Sequence, residues 1–200
     1  MPRTRVLALA LALLPSSALA GGFEDAAAKA QRLERLDPFL EKFVGRCPDP
    51  YTRRACEAGI AGFRKEAAAR TFVVKVGEVT SLVRPERDET GEGYVLLLTP
   101  FFDGGGLALT NVAPTRQDPQ GNPLVPLVPI PASVPAGTMD FEFLSPFRTG
   151  AVEIEVVFRP VKVWKLPRKG GGAYEGVAVK IVAVRVLDGR TGNEIGSKVM

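Results

Sequence analysis

Residues 152–166 read VEIEVVFRPVKVWKL, and the pattern along this stretch decides the fold. From Val152 to Phe158 the even positions are apolar (Val152, Ile154, Val156, Phe158), the period-2 signature of a strand with one buried face. After Pro160 the pattern slips: Lys162 falls on the even face, while Val161 and Val163 take the odd one. Proline cannot donate to a strand ladder, and an extra residue turns the strand, so a proline with a phase change marks a bulge or sharp bend. The stretch predicts a long strand that curves.

Working outward, further runs rich in β-branched and aromatic residues predict strands at Phe72–Val83, Tyr94–Phe102, Leu107–Val112, Met139–Leu144, Tyr174–Leu187 and Glu194–Val199. Gly-rich or polar turns separate them at 89–93, 103–106, 145–150, 168–172 and 188–192. No helical pattern intervenes, so the sheet is expected to be mostly antiparallel. The expected fold class is α+β: an N-terminal helical hairpin over 21–70, then a β-domain over 71–200. That domain is either a small, partly open barrel of OB-like type or a compact β-sandwich. The sequence does not choose between them.

Residues 23–69 carry the helical signal. Ala30, Leu33, Leu36, Leu40 and Val44 recur in three- and four-residue steps, with Pro38 separating a first short helix from a second that Asp37 is suited to cap. A further helix is expected over Tyr51–Ala69, with Ile60 and Phe63 on one face. Cys47 and Cys56 are the two cysteines of the chain. On one continuous helix their Cα atoms would lie about 13 Å apart, whereas a disulfide needs less than about 7 Å. Pro48 and Pro50 break the helix between them, so a reversal closed by a Cys47–Cys56 disulfide is expected. A redox CxxC pair or a metal site fails on spacing and on partners.

Seven prolines fall within residues 113–137, and residues 124–131 (LVPLVPIP) are apolar or proline throughout. Such a run favours an extended conformation, and its apolar character predicts that it lies against an apolar surface rather than serving as a polar linker. It either covers its own β-domain or forms an arm offered to a partner, with Leu127 and Ile130 as the residues to test.

The N-terminus reads as a secretory signal. Arg3 and Arg5 precede the apolar run Val6–Leu14, Pro15 to Ser17 break it, and Ala18-Leu19-Ala20 fits the small-x-small rule, so cleavage is expected after Ala20. The apolar run is too short to span a bilayer, and no later segment is long enough to do so. The export signal and the cysteine pair together predict a periplasmic or secreted protein. Arg3 and Arg5 supply two of the 26 basic residues against 22 acids, which leaves a balance of +2 after cleavage. So small a charge argues against nucleic acid as a partner.

There is no histidine, which removes Ser-His and Cys-His nucleophile pairs, imidazole acid–base catalysis and zinc sites built on imidazole. No P-loop and no G-x-S-x-G elbow is present, and no cofactor is expected. A Ser–Lys or paired-carboxylate enzyme is the third reading. If Met139–Leu144 and the strand from Val152 pair with apolar faces together, Asp140, Glu142, Glu153 and Glu155 share the other face. That face is read as a solvated one with interleaved cations, and as a weak Ca²⁺ candidate. Arg168-Lys169-Gly170-Gly171-Gly172 leads into a strand rather than a helix N-terminus, which favours a flexible hairpin turn over a phosphate cradle. Lys162, Lys165, Arg168 and Lys169, with Trp164 as a stacking surface, form a candidate basic rim. The leading functional reading is an exported, non-enzymatic accessory or scaffold protein that binds a partner protein through the arm, the basic loop or both. The alternative is a β-domain binder of a small or anionic polymeric ligand.

Overall fold

A computed structural model describes residues 21–77, 80–91, 93–134 and 138–200. The expected signal at 1–20, and residues 135–137 of the proline-rich segment, lie outside the described residues. The elements run α1 (Gly21–Ala28), β1 (Gln31–Leu33), α2 (Asp37–Val44), α3 (Arg53–Ala68), β2 (Phe72–Val76), β3 (Val83–Arg87), β4 (Tyr94–Leu98), β5 (Phe101–Gly104), β6 (Leu107–Thr110), β7 (Val128–Pro131), α4 (Asp140–Thr149), β8 (Val152–Pro167), β9 (Ala173–Asp188) and β10 (Glu194–Val199). The fold is mixed α+β.

β8 and β9 form a long antiparallel hairpin that organises a seven-stranded sheet of order β1-β2-β8-β9-β6-β5, with β10 also paired to β9. Its register shifts between Pro160 and Lys162, at the predicted phase slip, and again between Val157 and Phe158. The slip keeps apolar residues pointing the same way: Ile154, Val156 and Phe158 before it, and Val163 after it, all pack in the main core. Because β9 is long, its far edge serves two neighbours. Gly176 to Ala178 pair with β6, and Ala183 to Leu187 pair with β10. Most pairings are antiparallel as expected, but β1–β2 and β6–β9 are parallel. The β6–β9 approach is close enough that a Cβ on Gly176 would sit 2.0 Å from the Ala108 carbonyl oxygen of β6, and also 2.7 Å from the Trp164 ring of β8, so the position needs glycine.

A second sheet, β3-β4-β7, joins the first along one seam. Ala132 bridges to Gly196, and the Ser133 amide donates to the Ile195 carbonyl at 2.7 Å. Leu96, Leu98 and Ile130 of this sheet share a core with Leu40, Phe43, Ile154, Phe158 and Val184. No closed barrel forms among the described residues, so the barrel and OB-like expectation is not upheld.

The helical pair α2–α3 is closed by the Cys47–Cys56 disulfide, with Cα atoms 5.9 Å apart. Arg64 of α3 donates to the Phe43 and Val44 carbonyls at 2.7 and 2.6 Å, satisfying acceptors that the end of α2 leaves open. Gly45 (φ 60°) turns the chain there, tight against Ile60. Phe39 of α2 meets Phe72 at 4.9 Å and Phe158 at 5.6 Å, which pins the pair to the sheet. The Asp37 carboxylate does not cap α2 and pairs with Arg35 instead. The segment between α1 and α2 is not helical, because residues 31–33 add to the sheet edge as β1.

Three expected strands are corrected. Phe72–Val83 ends as a strand at Val76 and resumes at Val83 after a 3-10 turn at Thr80–Leu82. Tyr94–Phe102 is divided at Thr99 and Pro100, where proline has no N–H to continue the ladder. Met139–Leu144 is not a strand but the start of α4. There Phe143 and Pro146 are the buried face, Phe143 stacks on Tyr94 at 4.5 Å, the Glu142 carboxylate accepts from the Met139 amide at 3.3 Å, and Gly150 ends the helix in the left-handed region. No helix among the described residues is long and apolar enough to cross a membrane.

Candidate functional site

The groove that best joins the features singled out in the sequence lies where the proline-rich segment crosses the closed end of the β8–β9 hairpin. Thr110, at the end of β6, and Asn111 lead into the segment: the Thr110 hydroxyl donates to the Val112 carbonyl at 2.7 Å, and the Asn111 amide donates to the Pro126 carbonyl at 3.1 Å. The chain then folds back on itself. Gln117 bridges to Pro123, and the Leu124 amide donates to the Arg116 carbonyl at 2.9 Å. The Asp118 carboxylate accepts from the Asn122 backbone at 2.7 Å and from its side chain at 3.0 Å. These bonds, the Asn122 side chain foremost, hold the Asp118 carboxyl below its ordinary value. Finally, the Gln117 side chain donates to the Pro167 carbonyl at 2.8 Å, tying the segment to the hairpin.

Beneath this fold-back is an open groove of about 730 Å³. Leu82, Phe101, Leu124, Leu127 and Tyr174 give it apolar walls, and Asp118 and Asn122 stand at one side. Leu124 and Leu127 are 49% and 46% exposed. The Arg168 guanidinium lies 3.9 Å above the Tyr174 ring, so a cation borders the aromatic wall. Glu175, next along β9, receives Lys165 at 2.6 Å and Arg46 at 2.8 Å. The Lys165 and then the Arg46 contact lower the Glu175 carboxyl from its ordinary value. The groove thus offers apolar area, one aromatic–cation pair at its border and, at one side, the Asp118 carboxylate. Such a set recognises an apolar side chain flanked by polar groups.

The structure brings Leu127, Arg168 and, through Glu175, Lys165 to this end of the molecule. Lys169 is exposed in the adjoining turn, and Lys162 is exposed on β8 opposite Ala178. Ile130 is separate from the groove: it is fully buried on β7, facing Leu96 across the ladder. Trp164 does not stand at a rim. It is 5% exposed and clusters with Ala108, Ala178, Phe101 and Tyr174 on the face of the sheet opposite the main core.

The four acids are not on one face, because α4 replaces the strand that would have aligned them. Asp140 pairs with Arg87, Glu142 caps its own helix, Glu153 meets Lys75 at 2.6 Å, and Glu155 is held by Arg185 with Arg32 at 3.7 Å. Among the described residues no group of three or more His, Cys, Asp or Glu is placed to hold a metal ion. Sequence reasoning did not reach Leu82, Phe101, Asp118, Asn122, Leu124 and Tyr174 as site residues. Leu124 lay in the flagged apolar run, and the Asp118–Asn122 turn had a turn composition. Phe101 and Tyr174 meet only through the non-local β5–β6–β9 pairing.

A family model described as "Family of unknown function (DUF6066)" matches residues 1–199. The chain belongs to this family. The match spans the helical pair, both sheets and the proline-rich segment, so the groove is built from residues inside the matched range. Neither curated proteins nor solved structures give a match.

Proposed function

We propose that this member of DUF6066 is an exported, non-enzymatic accessory or scaffold protein of the cell envelope that docks a partner protein in the groove beneath the proline-rich segment. One observation carries the reading: Leu124 and Leu127 are held half-exposed, beside Tyr174 and Arg168, by a segment whose backbone is already fixed. Prolines and hydrogen bonds limit the freedom the segment has left to lose, so binding costs less ordering entropy. Aromatic and arginine side chains supply the kind of contacts that dominate protein interfaces. The Cys47–Cys56 disulfide fits an oxidising compartment, which supports export. The rival binder of an anionic polymer is less well supported, because Lys165 is held in an ion pair with Glu175 and Arg168 is engaged with Tyr174.

The test is capture of the native partner by the purified protein and by a Leu124→Ser/Leu127→Ser variant. The variant is expected to lose the partner while keeping its melting temperature within a few degrees. Retained capture by the double variant sinks the proposal. Capture that instead falls steeply with added salt and with loss of Lys162 and Lys169 favours the anionic-ligand reading.

A further inference from the structure

β3 (Val83–Arg87) is an open edge of the smaller sheet: it pairs with β4 alone, and Arg84 and Glu86 are exposed on it. The ladder shows which of its backbone groups face outward. The Asp88 amide donates to the Gly93 carbonyl at 3.1 Å and the Thr99 amide to the Leu82 carbonyl at 2.7 Å, so Leu82, Arg84, Glu86 and Asp88 turn toward β4. Val83, Pro85 and Arg87 therefore turn their backbone groups away from it. Among the described residues no backbone group bonds to that side, and α4 reaches its far end through the Asp140–Arg87 ion pair. Other borders are covered or bent. β7 is closed against β10 by the Ala132–Gly196 bridge and by Lys198, which donates to the Pro129 carbonyl at 2.9 Å. β8, beyond its pairing with β2, carries the bulge after Pro160, with Lys162 and Lys165 exposed. Bulges and lysines blunt an edge. On β3 the free edge is interrupted at its middle, by Pro85.

An open strand edge is a template for pairing with another chain, and the charges on this one select a second copy. A two-fold antiparallel pairing centred on Pro85 sets Arg84 opposite Glu86 of the other copy, and Glu86 opposite its Arg84. Opposite charges so placed stabilise an antiparallel pair. Within one chain the two already meet at 2.7 Å. The edge is thus self-complementary in charge and is stopped at one residue. A hydrogen-bonded pair at the centre needs an N–H from each copy. Proline has none, and its ring fills the space where the donor would stand. We propose that Pro85 is a guard against self-association: the β3 edge fits a second copy of this chain, and the proline keeps the protein a monomer. Leu82, which lines the groove under the proline-rich segment, immediately precedes this edge, so a paired copy would stand next to that groove. The guard does not depend on what the groove binds.

The experiment is analytical sedimentation of the intact protein and its variants across a roughly hundredfold range of concentration. The parent is expected to stay monomeric. Pro85→Val restores the missing donor with a side chain suited to strands, and is expected to bring on a reversible monomer–dimer equilibrium. Pro85→Ala is expected to do the same more weakly. Adding Glu86→Lys to Pro85→Val sets like charges opposite one another at both flanking pairs, and is expected to weaken the dimer by about tenfold. Adding Arg84→Glu as well reverses both charges and is expected to restore it, a rescue that non-specific sticking does not give. The melting temperature of each variant, read at low concentration, shows that the fold is retained. A dimeric parent, folded Pro85→Val and Pro85→Ala variants that stay monomeric throughout, or a dimer indifferent to the charge changes overturns the proposal. So does open-ended aggregation in place of a dimer, since a two-fold pairing closes on itself.

Discussion

Leu127 and Ile130 lie three residues apart in one apolar run, yet the structure gives them opposite roles, and a pair of substitutions separates these. Ile130 is fully buried on β7 between the two sheets, whereas Leu127 is 46% exposed on the groove wall. Ile130→Ala removes buried carbon and leaves a cavity in a shared core, a change that costs about 2–5 kcal/mol. Taking roughly 3 kcal/mol, and about 2–4 °C per kcal/mol for a chain of this size, the melting temperature should fall by about 6–12 °C. Leu127→Ser opens no cavity. It forfeits at most about half of the ~1.5–3 kcal/mol that full burial of a leucine is worth, so its cost should be about 1.5 kcal/mol or less. Urea unfolding of both variants beside the parent, followed by circular dichroism, reads the difference as a shift in midpoint at constant slope. Equal destabilisation by the two substitutions would refute the assignment of Leu127 to a binding wall. An Ile130→Ala cost within experimental error of zero would refute the seam between the sheets.

Further predictions follow from the pairings elsewhere. Replacing both cysteines by serine opens the loop between Cys47 and Cys56, at a cost of about 2–3 kcal/mol in the chain-entropy model, measured by unfolding with and without reductant. Arg185 faces Glu155 across β8–β9, with side chains 19% and 8% exposed, and it also pairs with Glu24 and stacks on Phe23 of α1. Arg185→Leu should therefore cost about 3 kcal/mol by stranding a buried carboxylate, and Glu155→Leu in the same chain should recover most of it; a double variant no better than the single one would contradict this. Glu175 and Asp188 have carboxyls lowered from ordinary values of 4.5 and 3.8, by Lys165 with Arg46 and by Arg190 respectively. Their stabilisation is fully present above those ordinary values and is lost as pH falls through the depressed ones, so melting temperature should decline on acidification below about pH 4.5, less steeply in Glu175→Gln.

Much of the architecture was legible because its signals are local. The period-2 run from Val152, the phase slip at Pro160 and the spacing of Leu36, Leu40 and Val44 each depend on neighbouring residues alone, and the structure uses all three. The cysteine pair was legible for the same reason: Pro48 and Pro50 forced the reversal that the bridge needs. Residues 139–144 misled because Met139, Phe141 and Phe143 satisfy a strand period over six residues, whereas the helix is defined by Phe143, Pro146 and the glycine stop at Gly150. β7 was hidden by Pro129 and Pro131. Both are tolerated because β7 ends its sheet, and Val128 and Ile130, which alternate with them, are turned inward. The groove was legible in part. Leu127 and Arg168 stood out as surface chemistry, but their proximity depends on the parallel β6–β9 pairing and on the Gln117–Pro167 contact, which no local pattern encodes.

The central claim is that the groove under the proline-rich segment faces a partner protein, and photo-crosslinking tests it most directly. A photoreactive residue is placed at Leu127 in one variant and at Val161, 59% exposed at the β8 bulge, in another, and each is irradiated in the native envelope. The account predicts one dominant, stoichiometric protein adduct from position 127 that is absent from position 161. No adduct at 127, or the same adducts from both positions, would contradict it.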